Sequence, residues 1–297
     1  MTSLQDLEDK IAASQALTRD DAKRLAASPD LVGVGLLGER VRKDLHGDRV
    51  TFVRVCDVGP GQAPTERGEA GEIRLTGVPE SIDEARLRVR EAARLAPGVP
   101  LTGFSLADLL HLAGGDSTVL AELVVMLRYE GLEAVAEVPV DRFASVEVAA
   151  AAVRAVVGGG LSAWRATVAD AAFADRLELM ERAAAVQRET GAFRAFAPLP
   201  RQDPHDQPST GYDDVRTVAF ARVMCRNIPS IQVDWPLYGP KLAQVAIAYG
   251  ADDIDGIAGV AATDLGHRRS PREEIERHIR MAFAQPVERN GRYELRR

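Results

Sequence analysis

Two carboxylates, Asp57 and Asp234, each close a short strand-like run of apolar residues. A carboxylate so placed can serve as a general base, taking a proton from a bound substrate. Arg165 and Arg201 stand at the ends of two further runs, and a guanidinium grips a carboxylate or phosphate through paired hydrogen bonds. Thr76, Gln232 and Asp255 occupy comparable positions and would add a hydroxyl, an amide and a third carboxylate to the same site. Trp235 and Tyr238 follow Asp234 directly and would either form a stacking wall for a flat ligand or pack into the core. Each polar residue at a strand end also has a plainer role open to it, capping the helix that follows. Taken as a group, they predict a substrate-binding constellation with Asp57 or Asp234 as base and arginines holding an anionic substrate.

Metal chemistry has weaker support in the residue pattern. The run Asp252-Asp253-Ile254-Asp255 is acidic but lacks the loop spacing of a calcium-binding hand. On a strand, Asp253 and Asp255 share a face and Asp252 points away, an arrangement suited to a network with arginines or to a divalent cation. The five histidines, His46, His111, His205, His267 and His278, are scattered, and none pairs with another ligand at helical spacing. Walker loops, G-x-S-x-G elbows and H-E-x-x-H motifs are absent from the sequence. No metal site is expected.

The elements that position these residues alternate. A strand over Val50 to Cys56 is followed by seven more strand-like runs, at Glu72 to Leu75, Pro100 to Phe104, Ala134 to Val138, Ser162 to Val168, Phe193 to Leu199, Ser230 to Trp235 and Asp253 to Ile257. Segments with helical spacing, such as Ser81 to Leu95 and Asp170 to Thr190, lie between them. Alternation of this kind predicts a parallel sheet, and eight units predict closure into a (βα)8 barrel of the TIM type, with a doubly wound open sheet as the alternative. In such a barrel the chemistry sits at the C-terminal strand ends, where the candidate residues fall. Residues 1–48 read as an N-terminal helical extension, opened in part by Thr18-Arg19-Asp20-Asp21, and 49–297 as the barrel.

Composition bounds the function. The 297 residues are 46% hydrophobic and 27% charged, which excludes disordered and disulfide-scaffold classes. A net charge of −7 disfavours nucleic-acid or anionic-membrane partners. The start of the chain lacks a basic, apolar leader, and only Cys56 and Cys225 are present, so the expected location is cytoplasmic.

The C-terminal third carries longer words. Thr210-Gly211-Tyr212-Asp213-Asp214-Val215-Arg216-Thr217-Val218-Ala219, then Ala221-Arg222 and Asn227-Ile228-Pro229, resemble the aminofutalosine synthase family of the futalosine route to menaquinone. Trp235-Pro236, Gly239, Lys241-Leu242-Ala243-Gln244-Val245-Ala246 and Gly250-Ala251-Asp252-Asp253-Ile254-Asp255-Gly256 continue the likeness, which reaches back to His46-Gly47-Asp48-Arg49-Val50. The resemblance implies a radical SAM barrel. In that family a C-x-x-x-C-x-x-C motif after the first strand holds a [4Fe–4S] cluster that binds S-adenosylmethionine. Here the corresponding stretch reads Cys56-Asp57-Val58-Gly59-Pro60-Gly61-Gln62-Ala63-Pro64, with one cysteine. No cluster ligand carries over, and neither cofactor is expected.

Three readings follow. The first is a cluster-less homologue that binds a nucleoside or benzoate intermediate of menaquinone synthesis, or that pairs as a homo- or hetero-oligomer with an active enzyme of that route. The second is a non-radical enzyme that works through its mouth carboxylates and arginines on a small anionic substrate. The third is a barrel that completes a cluster with a partner's ligands.

Overall fold

A computed structural model describes residues 4–13, 15, 17–62, 66–168, 173–199, 210–259 and 272–296. Three helices precede the sheet: α1 (Gln5–Ala12), α2 (Arg19–Ala27) and α3 (Leu31–His46). The Thr18 side chain accepts from the Asp21 N–H while the Asp21 carboxylate accepts from the Thr18 N–H, the reciprocal cap that the sequence spacing predicted. Eight strands follow: β1 (Arg49–Val58), β2 (Glu72–Leu75), β3 (Leu101–Ser105), β4 (Ala134–Pro139), β5 (Arg165–Val168), β6 (Ala195–Pro198), β7 (Ser230–Asp234) and β8 (Asp253–Ala258). The helices around them are α4 (Ile82–Ala93), α5 (Leu106–Leu112), α6 (Ser117–Glu130), α7 (Val146–Gly158), α8 (Phe173–Thr190), α9 (Gly211–Met224), α10 (Trp235–Ala248) and α11 (Arg272–Met281).

All pairings between these strands are parallel, and β1 pairs with both β8 and β2, so the sheet closes on itself. That closure settles the architecture as a (βα)8 barrel, and the open-sheet alternative falls. A further short strand, β9 (Gln285–Glu288), was not anticipated. It pairs in parallel with the first four residues of β1, while β2 takes the last four. The residues after β9 cross the N-terminal end of the barrel, where Arg289 and Tyr293 reach toward Asp253 and Gln232.

The hydrophobic core lies between the strands and the helices. Val50, Phe52, Ile73, Leu101, Ala166, Phe196, Ile231, Val233 and Ile254 belong to it, one residue from each alternating pair. The other face of each strand lines the barrel interior, which in most barrels of this type is packed with branched apolar side chains. Here it holds charges. Gly38 of α3 lets the extension dock closely, since a Cβ there would lie 2.3 Å from the Tyr249 carbonyl oxygen and 3.0 Å from the Ala219 Cα. Among the described residues no single helix is long and apolar enough to cross a membrane.

Candidate functional site

Two layers of polar side chains fill the barrel. In the lower layer, toward the N-terminal strand ends, the Arg289 guanidinium donates to both oxygens of Asp253 at 2.7 and 2.6 Å. The Thr51 hydroxyl and the Gln232 amide also donate to that carboxylate. Arg289 is held even more firmly protonated than an ordinary arginine: burial opposes its charge, but Asp253 outweighs it. Gln232 therefore serves the lower layer and not the mouth, where strand-end reasoning had put it. The reason is register, because Gln232 pairs with Asp253 and it is Asp234, two residues on, that pairs with Asp255.

The upper layer lies above the lower one, with Asp234 closing β7 and Arg74 next to the end of β2, while Asp255 lies within β8 and Arg165 opens β5. Arg74 of β2 clamps Asp255 of β8 with two bonds, Nη1 to Oδ2 at 2.9 Å and Nη2 to Oδ1 at 2.8 Å. Arg165 of β5 lies 3.4 Å from Asp255 and 3.9 Å from Asp234. Arg74 Nε donates to Glu72, which also accepts from the Thr102 hydroxyl, so the upper network extends onto β3. Asp255 is fully buried. Burial alone would favour its neutral form, but Arg74 and Arg165 hold its carboxyl far below the usual range. Asp234 behaves in the opposite way. Burial, reinforced by the charge of Asp255, pushes its carboxyl up to about 6, against the pull of Arg165 and of the Leu237 N–H that it caps. Two carboxylates in one layer are thus driven apart, one permanently ionised and one poised near neutrality, a pattern that marks acid–base sites.

Of the remaining predicted residues, Asp57 is exposed at the end of β1, opposite Arg74 in the β1–β2 register. It adds to the negative field around Arg74. Thr76 follows β2, half-buried, its N–H donating to the Val58 carbonyl. Trp235 and Tyr238 take the second of the two roles open to them, packing into the core. Trp235 is fully buried against His278, Tyr238 is 4% exposed, and the Tyr238 hydroxyl donates to the Pro198 carbonyl. Neither presents a free ring face, so they pack the α10 foot and form no stacking wall. Arg201 lies outside the described residues.

Sequence reasoning missed Arg74, the residue that binds Asp255 most directly. A signal was available: Glu72-Ile73-Arg74-Leu75 alternates charged and apolar residues within one strand, placing two charges on the inner face. The acidic run resolves into three separate arginine partners. Asp252, pointing outward as its alternation required, pairs with Arg222 of α9 and accepts from the Ile231 N–H.

A thiolate-held cluster does not fit this donor set. Cys56 shares the outward parity of Val50 and Phe52, belongs to the core outside the barrel, and has its Sγ 3.9 Å from the Glu66 carbonyl. Cys225 is buried at the end of α9, where burial pushes its thiol up to about 12. The sequence has no third cysteine. Among the described residues no group of three or more His, Cys, Asp or Glu side chains is arranged to hold a metal ion.

Residues 197–297 match the family model for the CofH/MqnC C-terminal region. Over 99% of this chain and 94% of the relative, the sequence is 26% identical to an aminodeoxyfutalosine synthase of Streptomyces coelicolor. It is 27% identical to that of Thermus thermophilus, over 97% of this chain and 94% of the relative. The Streptomyces alignment spans 378 positions, more than the chain's own length, so the relative carries segments that this chain lacks. Among solved structures, methylornithine synthase superposes with a TM-score of 0.65 at 13% identity, covering 94% of this chain and 96% of the other, a likeness of fold. The chain is thus similar to aminodeoxyfutalosine synthases along nearly its whole length and to the CofH/MqnC family in its C-terminal third, on a (βα)8 barrel.

Proposed function

We propose that this protein binds a small polar intermediate of the menaquinone route, a nucleoside or a benzoate, at the C-terminal mouth of its barrel, and that it does so without radical chemistry. The observation that carries this reading is the charged upper layer, Arg74, Asp255, Arg165 and Asp234, on the face where barrels of this class bind their ligands. Burying ion pairs is a weak way to stabilise a fold, since desolvation offsets most of their attraction. A network of this kind at the mouth is better explained by what it binds. Homology to aminodeoxyfutalosine synthases along nearly the whole chain supplies the ligand class. The mismatch between the two cysteines and a three-thiolate cluster supports the absence of the radical step.

One observation favours a second reading, catalysis by general base. Asp234, with its carboxyl near 6 and Arg165 at 3.9 Å, would take a proton from a substrate whose anionic group the arginine holds.

Thermal unfolding of anaerobically purified protein tests the first reading. The panel holds aminofutalosine, futalosine, the enolpyruvyl benzoate precursor and S-adenosylmethionine, with iron measured in the same sample. A rise in Tm with a nucleoside or the benzoate, in iron-free protein, is the expected outcome, because a ligand that prefers the folded state stabilises it. No shift with any of the four overturns the ligand-binding reading. Stoichiometric iron with a shift from S-adenosylmethionine overturns the cluster-less one.

A further inference from the structure

The end of the barrel opposite the mouth holds a cavity of about 250 Å³, walled by the N-terminal ends of β1, β7 and β8, by Arg194 just before β6, and by the C-terminal tail. That volume is below the roughly 300 Å³ at which pockets for drug-sized ligands begin, and it suits a small group. Its cations fall into two kinds. Arg289 is taken up by Asp253. Arg49 and Arg194 are exposed, and among the described residues neither has a carboxylate or hydrogen-bond acceptor for its guanidinium. The Ser230 hydroxyl, half-buried on the same wall, likewise has no protein partner among the described residues.

Among the described residues one acid, Asp252, lies on the wall, and it is already engaged. Asp252 Oδ1 pairs with Arg222 and accepts from the Ile231 N–H, and its Oδ2 lies 3.3 Å from His46 Nε2. The cavity therefore offers two guanidinium forks and a hydroxyl with no free anion among the described residues to satisfy them. This happens in a chain whose net charge is −7, so the positive potential is local.

We propose that this cavity is a second binding site, distinct from the mouth, that takes a phosphate group between Arg49 and Arg194. The planar fork of arginine matches phosphate oxygens in pairs, and the Ser230 hydroxyl donates to a third. The site is independent of the ligand proposed for the mouth, and its test does not depend on that reading.

The probes are inorganic phosphate, glycerol 3-phosphate and acetate, each titrated calorimetrically into the full chain at constant ionic strength. Arg49→Gln, Arg194→Gln and the double variant are titrated in parallel. Both arginines are exposed, so the variants keep their fold, which circular dichroism and Tm verify. Phosphate is expected to bind the native chain, with each single substitution weakening it about tenfold and the double variant abolishing it, as loss of a charge-assisted contact requires. Tighter binding of glycerol 3-phosphate than of phosphate assigns the site to an esterified phosphate; the reverse order assigns it to the free ion. The proposal is overturned if phosphate does not bind, if acetate binds as well as phosphate, or if the double variant retains native affinity.

Discussion

At the scale of single residues, the site rests on the contrast between Asp234 and Asp255. The two face the same arginines, yet only Asp255 is clamped by a bidentate bond. Asp234 has its backbone cap and a distant guanidinium, and its carboxyl rises to about 6 from an ordinary 3.8. The folded chain thus binds that proton more tightly than the unfolded chain does. Asp234 accordingly costs stability as pH climbs from about 4 to 6, the reverse of a salt-bridged carboxylate. Asp234→Asn keeps the side-chain oxygen that caps α10 but removes the charge. The variant is expected to gain about 1–2 kcal/mol at pH 7 and to lose the part of the pH dependence of Tm between 4 and 6 that belongs to this group. Melting curves of both proteins across that range check it. A variant less stable than the native chain at pH 7 contradicts the assignment. Alternation puts Asp234, Arg165 and Asp255 on inward-facing positions, although only Asp234 closes its strand: Arg165 opens β5 and Asp255 lies within β8. It could not separate the layers, which depend on the stagger between neighbouring strands, and so Gln232 was placed one layer too high.

At the scale of elements, the eight barrel strands were legible as short apolar runs, and helices such as α2 and α4 through their spacing and the caps at Thr18 and Ser81. The ninth strand was not. Gln285-Pro286-Val287-Glu288 is short, contains a proline and alternates weakly, and its pairing partner is more than two hundred residues away in β1. What fixes it is the tail beyond it, where Arg289 meets the fully buried Asp253. Removing one partner of such a pair leaves an uncompensated charge, so Arg289→Met should cost about 3–5 kcal/mol, read by urea denaturation. A loss within about 0.5 kcal/mol would show that the tail does not seal the barrel. The helical extension is held by a different device, close approach at Gly38. Gly38→Ala would press a methyl group into the Tyr249 carbonyl oxygen and push α3 off α9. The expected cost is about 1–3 kcal/mol, with faster proteolysis ahead of β1 than in the native chain.

At the scale of the whole molecule, two ends of one barrel carry different electrostatics. The C-terminal mouth pairs its charges internally and leaves one carboxylate poised near neutrality, whereas the N-terminal end presents Arg49 and Arg194 with no internal partner among the described residues. The likeness to aminodeoxyfutalosine synthases was legible from the ordered words between Thr210 and Gly256, which build α9, α10, β7 and β8 and the Asp252, Asp253 and Asp255 contacts. The partners of those aspartates were not legible, because Arg74 and Arg289 come from opposite ends of the chain and meet only on closure. The most direct test of the mouth as the binding site is calorimetric titration of the stabilising intermediate into native and Asp234→Asn protein from pH 5 to pH 8. The account predicts that native affinity changes with pH around an inflection near 6 and that the variant's affinity is flat across it. Identical profiles for the two proteins would place the ligand elsewhere and contradict the account.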